Sequence, residues 1–286
     1  MPSIPEKKKE ESRRRKDPLQ LTRSEARETE RRMALRAAVV HKAIQAEGEE
    51  ELQRSSPALA WSGLAAGLSM GFSLVMEGLL RAHLPDAEWR PLLAKLGYPV
   101  GFLIVVLGRQ QLFTENTLTV VLPLLQRRDA ATFKNVMRLW GIVLLTNLTG
   151  ALLIAWAAGE TRAFQPEVRT AFSEIGREAI APGFRSVLVR GIFGGWLIAL
   201  MVWLLPFAEA ARFHVIFLIT YLVGLGGFSH IIAGSIEMFH LAITGLASWG
   251  EVLGGYILPA LLGNTIGGVA LVAAINHAQV AADKSG

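Results

Sequence analysis

Long apolar stretches separated by short polar segments fill the chain from residue 57 to about residue 278. A helix needs about 20 apolar residues to cross a bilayer. Six stretches reach that length, and they predict six transmembrane helices, over residues 57–80, 97–125, 137–158, 187–207, 213–245 and 251–275. The predicted fold class is an all-α integral membrane domain over 57–278, with a short tail at 279–286.

The second and fifth stretches are longer than one crossing requires, and polar and small residues interrupt each near its middle. The first interruption runs from Gly108 to Asn116, and the second from Gly226 to Ser235. Hydrocarbon offers no partners to the backbone groups of a broken helix, so such breaks persist only where protein buries them or where they line a polar cavity. Each stretch is therefore predicted to form two half-helices. Two breaks in one chain indicate a pathway through the membrane.

The six stretches also repeat. The third contains Asn147-Leu-Thr-Gly and the sixth contains Asn264-Thr-Ile-Gly-Gly, so that the two asparagines are 117 residues apart. Phe113 and His230, at the centres of the two breaks, are separated by the same distance in sequence. A shared offset predicts two halves of three helices each. Because three is odd, the halves have opposite orientations, the inverted repeat used by many translocating proteins.

The amino-terminal segment differs from the rest of the chain. Residues 1–56 hold 14 Lys/Arg and 11 Asp/Glu, nearly half of all charged residues. They predict a polar tail with an amphipathic helix over about 22–46, resting on the membrane domain or on lipid headgroups. Interleaved acidic residues argue against a nucleic-acid partner. The basic residues of the tail and of the 126–138 loop favour cytoplasmic termini, although the predicted loop at 159–186 is also basic in part.

His230 is the histidine placed near the centre of the bilayer, where an ionisable group is costly and indicates function. Burial favours neutral imidazole, and a nearby anion favours the charged form. His230 is thus a candidate to attract a small monovalent anion or to pass it a proton, with Thr114 of the first break as a hydrogen-bond donor. The alternative is a histidine that stabilises the broken backbone only. Leu112 and Phe113 form either a hydrophobic constriction or ordinary helix packing.

Other polar residues in the stretches have predicted structural roles. Asn147 and Asn264 are expected to join helices by hydrogen bonds and not to contact solute. The intramembrane charges Glu77, Arg109, Glu115 and Glu237 are expected to pair with one another at helix ends or interfaces. The chain has no cysteine, hydrolase elbow or phosphate-binding loop, so we predict no metal site, no cofactor and no enzymatic activity.

These motifs jointly resemble the formate/nitrite transporter family. The resemblance rests on Leu112-Phe113-Thr114, on His230, on Asn264 with Gly267 and Gly268, and on Arg190-Gly191 in the fourth stretch. It implies a homopentamer in the inner membrane, with a pore in each protomer for formate, nitrite, hydrosulfide or similar anions, and with possible proton coupling. It also implies a central site of Thr114 and His230 and a set of constriction residues: Tyr98, Phe102, Leu112, Phe113, Ile198 and Val223.

The chain departs from the family pattern around the central histidine. Gln111 replaces an acidic residue, Gly234 and Gly195 replace two asparagines, and a lysine expected in the outer loop falls at Ala179. Arg177 is the candidate that the sequence offers as a substitute for that lysine.

The predicted function is a membrane channel or transporter for small monovalent anions. A first alternative is a non-conducting pentameric scaffold that binds partners through its tail. A second is a channel for neutral solutes resembling aquaporins, which also use two half-helices, although the paired Asn-Pro-Ala loops of aquaporins are absent here.

Overall fold

A computed structural model describes residues 37–283 of the chain, with side chains from residue 38 to residue 279. The described residues form helices joined by short connections. In chain order these are α1 (Ala37–Gln53), α2 (Ser56–His83), α3 (Arg90–Ala94), α4 (Pro99–Leu107), α5 (Phe113–Thr119), α6 (Val121–Arg127), α7 (Ala130–Glu160), α8 (Pro166–Ile180), α9 (Gly183–Leu204), α10 (Arg212–Leu225), α11 (Ile231–Ile243), α12 (Leu258–Ile266) and α13 (Ile275–Asp283). Two π-helical stretches, Glu251–Ile257 and Gly267–Ala274, precede and follow α12 without interruption.

Five helical segments of the described chain are long and apolar enough to cross a membrane. They are Ser56–His83, Arg90–Leu107, Ala130–Glu160, Gly183–Phe207 and Glu251–Gln279. The remaining predicted crossing, the fifth stretch over 213–245, consists of two shorter helices, α10 with 14 residues and α11 with 13. The predicted all-α membrane fold is therefore confirmed. Both interrupted stretches are broken into separate helices, the second into α4, α5 and α6 and the fifth into α10 and α11.

The prediction of a loop over 159–186 was wrong, because α8 occupies most of it. Val168, Ala171, Phe172, Ile175 and Gly176 are buried at the spacing of one helix face, and charged residues lie between them. Such alternation lowers the mean hydropathy of the segment, and a search for continuous apolar stretches misses it.

The polar tail contributes α1 to the membrane domain. Val40 and Ile44 are fully buried against Leu118, Leu122 and neighbouring apolar side chains. At Gly48 a Cβ would lie 2.0 Å from the backbone oxygen of Thr119, so that only glycine permits this approach of α1 to α5. Of the helix predicted over 22–46, the part before residue 37 lies outside the described residues, and the described part continues to Gln53.

Glycine allows two equivalent helix pairs to pack closely, one in each half of the chain. At Gly67 a Cβ would lie 2.2 Å from the backbone oxygen of Asn147, where α2 meets α7. At Gly195 a Cβ would lie 2.3 Å from the backbone oxygen of Asn264, where α9 meets α12. Small residues at crossings are typical of membrane helices. These two contacts bring each asparagine beside one of the breaks.

Candidate functional site

The two breaks share one backbone conformation. After α4, Gly108 donates to the backbone oxygen of Ile104, and Arg109 has a positive φ of 49°. After α10, Gly226 donates to the backbone oxygen of Leu222, and Gly227 has a positive φ of 60°. In each case the chain then becomes extended and enters the next half-helix. The equal geometry supports the predicted duplication.

The register of the duplication in the breaks differs by one residue from the predicted one. Leu112 immediately precedes α5 with φ −106° and ψ 128°, and His230 immediately precedes α11 with φ −117° and ψ 126°. His230 therefore corresponds to Leu112, and the predicted equivalence of Phe113 and His230 was wrong. The prediction from sequence missed this register because it aligned the central side chains of the two breaks. The equivalent positions are instead those of Gly108 and Gly226, which make the same backbone hydrogen bond at the start of each turn.

Asn147 satisfies the backbone of the first break. Its Oδ1 accepts the N–H of Phe113 at 2.9 Å, and its Nδ2 donates to the carbonyls of Gln111 at 2.9 Å and Gly63 at 2.7 Å. These three backbone groups and the asparagine are buried in the centre of the fold, where water cannot replace the bonds.

Asn264 makes the same three bonds in the second break. It accepts the N–H of Ile231 and donates to the carbonyls of Ser229 and Gly191, each at 2.8 Å. One side-chain amide thus fastens each broken helix to the half-helix that follows. The two asparagines hold the amino termini of α5 and α11 in place.

Thr114 and His230 meet between these two half-helices. The hydroxyl oxygen Oγ1 of Thr114 lies 2.8 Å from Nε2 of His230, across 116 residues of sequence. Thr114 is fully buried and His230 is 1% exposed. The contact joins the first turn of α5 to the residue that caps α11. The two residues that the sequence singled out from opposite halves therefore form one polar pair.

The hydrogen bonds of His230 define its tautomer. The backbone N–H of Ala233 donates to Nδ1 at 3.2 Å. An N–H only donates, so Nδ1 is the acceptor and the proton of the neutral imidazole lies on Nε2. His230 consequently donates to Thr114, and the hydroxyl hydrogen of Thr114 has no acceptor among the described side chains. That hydrogen is available to a solute.

An aromatic stack covers the polar pair on one side. The ring of Phe102 lies edge-on to the imidazole of His230, with centroids 4.9 Å apart. Tyr98 lies against Phe102 with centroids 5.4 Å apart, and a Cβ on Gly224 would lie 2.8 Å from the Tyr98 ring. A solute that approaches His230 from this side must displace or pass these rings.

The other predicted pathway residues, Leu112, Phe113, Ile198 and Val223, are buried in the same apolar cluster. The ring of Phe113 packs edge-on against Trp140 of α7 at 5.6 Å. Gly267 and Gly268 are packing positions. A Cβ at Gly267 would lie 2.2 Å from the backbone oxygen of Ile192, and one at Gly268 would meet the hydroxyl of Thr117.

A cavity of about 240 Å³ opens beside the aromatic stack, and we call it the vestibule. Tyr98, Val223 and Ser229 lie at its boundary with the site. The sequence did not predict its remaining polar lining, which is formed by Lys95, Glu178, Arg190, Glu237 and Tyr256. These residues come from five separate segments, so no local motif reveals them.

Ion pairs fix some of the charges around the vestibule. Nζ of Lys95 lies 2.5 Å from Oε1 of Glu77, and Arg81 contacts both Glu178, at 2.6 Å, and Glu174, at 3.0 Å. The prediction that Glu77, Arg109, Glu115 and Glu237 pair with one another was wrong for the described residues, because Glu77 pairs with Lys95 instead. The structure places no ionic partner on Arg109 or Glu115 in its described part.

Close packing explains the two missing asparagines. At Gly195 the backbone of Asn264 leaves no room for a side chain. At Gly234 a Cβ would lie 2.0 Å from the hydroxyl oxygen of Tyr256. Tyr256 thus occupies the space of the expected asparagine, and its hydroxyl interacts with the side chain of Ser229 and the backbone of His230. Tyr256, from the last membrane-spanning segment, thus places a polar group where the fifth stretch has Gly234 in place of the expected asparagine.

We expect Gly234→Ala to destabilise the protein by about 1–3 kcal/mol, because the added methyl group forces the Tyr256 ring to move. The midpoint of thermal unfolding of the purified protein in detergent measures the effect. Gly254→Ala is the control, since a Cβ at Gly254 meets no atom within 4 Å. In a Tyr256→Ala background the Gly234→Ala change should cost nothing further. Equal losses in both backgrounds would contradict the steric explanation.

Comparisons with known proteins agree with this geometry. Residues 38–278 match the family model described as formate/nitrite transporter. The inner membrane protein YfdC of Escherichia coli is 43% identical over 256 residues, which cover 90% of this chain and 83% of that protein. The formate channel BtFdhC of Bacillus thuringiensis is 24% identical over 233 residues, or 79% of this chain and 88% of that one.

Two solved structures share the fold. An FNT family ion channel superposes with a TM-score of 0.72 at 18% identity, covering 82% of this chain and 96% of that chain. A pentameric formate channel with formate bound superposes with a TM-score of 0.65 at 21% identity, covering 78% and 97%.

Broken half-helices that meet at a buried polar pair define a multi-pass membrane protein of the channel and transporter class. The chain belongs to the formate/nitrite transporter family. The predictions of this family and of a transport function in place of an enzymatic one are confirmed. The family model begins at residue 38 and so includes α1.

Proposed function

We propose that the protein is a channel for small monovalent anions such as formate, nitrite or hydrosulfide. The observation that carries this proposal is the hydrogen bond between Thr114 and His230. It presents a buried hydroxyl, polarised by an imidazole donor, between two half-helices whose amino termini add positive potential. An anion passing this point gains a hydrogen bond where a hydrophobic wall would offer none.

The mechanism has three steps. First, the anion enters the vestibule. It then passes the rings of Tyr98 and Phe102. Finally, it accepts a hydrogen bond from the hydroxyl group of Thr114, while Nε2–H of His230 donates a hydrogen bond to the Thr114 oxygen. Leu112, Phe113, Ile198 and Val223 form the apolar surroundings that exclude water and other ions. Because Nδ1 of His230 accepts the N–H of Ala233, a second proton on the imidazole requires that cap to open. Proton coupling through His230 is therefore linked to movement at the start of α11.

The assembly is proposed to be a homopentamer in the inner membrane, with both termini on the cytoplasmic side. The solved pentameric formate channel and the inner membrane location of YfdC support this. Large apolar side chains on the outside of the protomer face lipid or neighbouring protomers, among them Trp61 at 73%, Leu145 at 67% and Leu218 at 65% exposure. Native mass spectrometry should give the mass of five chains.

Flux into proteoliposomes tests the function. We expect saturable uptake of at least one of formate, nitrite and hydrosulfide, above that of protein-free liposomes. If a proton accompanies the anion, a proton gradient directed into the liposomes, with the outside more acidic, should drive uptake against the concentration gradient of the anion. Water or glycerol flux by stopped-flow light scattering in place of anion flux would indicate the neutral-solute alternative. The absence of all these fluxes from a folded pentamer would contradict the proposal and favour the non-conducting scaffold.

A further inference from the structure

The charges that line the vestibule separate into paired and unpaired groups. Lys95 is paired with Glu77, and Glu178 with Arg81. Arg190, on α9, makes no ion pair with any carboxylate in the part of the chain that the structure describes. An unpaired guanidinium at this depth is costly unless something else satisfies it. Arg190 is therefore a basic residue of the vestibule whose five N–H donors are not bound to a carboxylate of the described residues, and these donors can bind a ligand.

The guanidinium of Arg190 lies over the second break. A Cβ on Gly227 would lie 3.7 Å from Nη1 of Arg190, so the loop runs directly beneath it. Ser229, two residues further on, lines the same vestibule, as does Tyr256. Tyr256 lies within electrostatic range of Arg190, and its hydroxyl group lies near the side chain of Ser229. A guanidinium and two hydroxyl groups thus converge where the vestibule meets the loop that carries His230.

Carboxyl groups also line the vestibule. Glu237, which is 7% exposed, lies within electrostatic range of Lys95, Glu77 and Glu178, and within range of Tyr256 as well. Glu77 and Glu178 are held in ion pairs with Lys95 and Arg81. An anion in the vestibule therefore finds its basic contact at Arg190, beside the loop that carries His230.

Neither residue that the sequence offered in the outer loop supplies this charge. Ala179 lines the vestibule with a methyl group. Arg177 lines a different cavity, with Ile180, Leu241 and Glu251. The expected role of Arg177 as a substitute for the lysine is thus not supported by its position.

We propose that Arg190, together with the hydroxyl groups of Tyr256 and Ser229, forms a binding site for a small monovalent anion in the vestibule. The planar guanidinium suits formate and nitrite, whose two oxygens can accept parallel hydrogen bonds. The site holds the anion one step before it passes Tyr98 and Phe102 to reach Thr114. Its effect on flux rests on the proposed channel function, but binding itself does not.

Binding is tested on the purified protein in detergent, without transport. Sodium formate or sodium nitrite replaces sodium gluconate at constant ionic strength, and the midpoint of thermal unfolding is followed. A ligand that binds only the folded protein raises the midpoint with its concentration. We expect a rise for the unaltered protein and for Arg185→Gln, which removes an exposed arginine from the same helix. Arg190→Gln should lose the rise, and Arg190→Lys should regain part of it.

The same variants in proteoliposomes test the role of the site in transport. We expect Arg190→Gln to raise the half-saturating formate concentration roughly tenfold or more, as for the loss of a charged hydrogen bond, with a smaller change in maximal flux. Tyr256→Phe, which removes only the hydroxyl, should raise it about threefold. Arg185→Gln should match the unaltered protein.

The outcomes separate this site from the channel function. Equal thermal responses of Arg190→Gln and Arg185→Gln, or no response of the unaltered protein to either anion, would overturn the site. Anion-dependent stabilisation that requires Arg190, without flux, would keep the site and reject the channel. If Arg190→Gln leaves the dependence of flux on anion concentration unchanged, Arg190 is not part of the pathway.

Discussion

Asn147→Leu is expected to destabilise the protein by several kcal/mol. Leucine fills a similar volume, but it leaves the N–H of Phe113 and the carbonyls of Gln111 and Gly63 without their side-chain partner. Each buried group left unsatisfied costs roughly 1–3 kcal/mol, and hydrocarbon supplies no water in compensation. The midpoint of thermal unfolding and the yield of monodisperse oligomer in detergent measure the loss.

Asn135→Leu is the matched control, because Asn135 lies exposed on the same helix, α7. It should leave both measurements unchanged. Asn264→Leu should reproduce the effect of Asn147→Leu, since Asn264 makes the same three bonds in the other half. A variant of either asparagine that retains normal stability would show that the breaks do not depend on these amides.

His230→Asn is expected to lower anion flux by about tenfold while the protein remains folded. Asparagine is a favoured residue before a helix, and its Oδ1 can replace Nδ1 as acceptor for the first turn of α11. It is too short to replace the Nε2–H bond to Thr114, so the polarised hydroxyl is lost. One such hydrogen bond corresponds to roughly 0.5–1.5 kcal/mol. Flux in proteoliposomes, across a pH series, is the measurement.

Two further variants make this result specific. Thr114→Val removes the hydroxyl at nearly constant volume and should reduce flux to a similar extent. His240→Asn changes another buried histidine of α11, one that contacts Ser173 and lies away from the Thr114 pair, and should leave flux intact. Normal flux and pH dependence in His230→Asn would limit His230 to capping α11.

The sequence predicted the breaks well because their cause is local. A polar interruption in an apolar stretch is visible in the residues themselves. The positions of the continuous helices followed from hydropathy for the same reason, whereas their ends did not: α7 begins at Ala130 and α9 at Gly183, before the predicted starts at 137 and 187. Helix α8 was missed because its apolar residues are spaced at helical intervals among charges, where hydropathy averages to a low value.

The register and the vestibule were not predictable in this way. His230 is equivalent to Leu112 because the two residues have the same extended backbone conformation before their half-helices. The side chains alone suggested Phe113, one residue further along the chain. Tyr256 takes the place of the missing asparagine because a π-helical stretch of the last helix packs beside Gly234. Arg190 and not Arg177 lines the vestibule because α8 presents Arg177 to another cavity.

The sequence by itself determined an all-helical membrane domain, its duplication, its two interruptions and the motifs of its family, because hydropathy and short motifs are read along the chain. Only the tertiary structure decided that Thr114 and His230 touch and which polar groups share the vestibule. Thr114 and His230 are 116 residues apart in sequence, and the polar lining of the vestibule comes from separate segments of the chain. Their distances are set by how the two halves pack, and no local pattern records them.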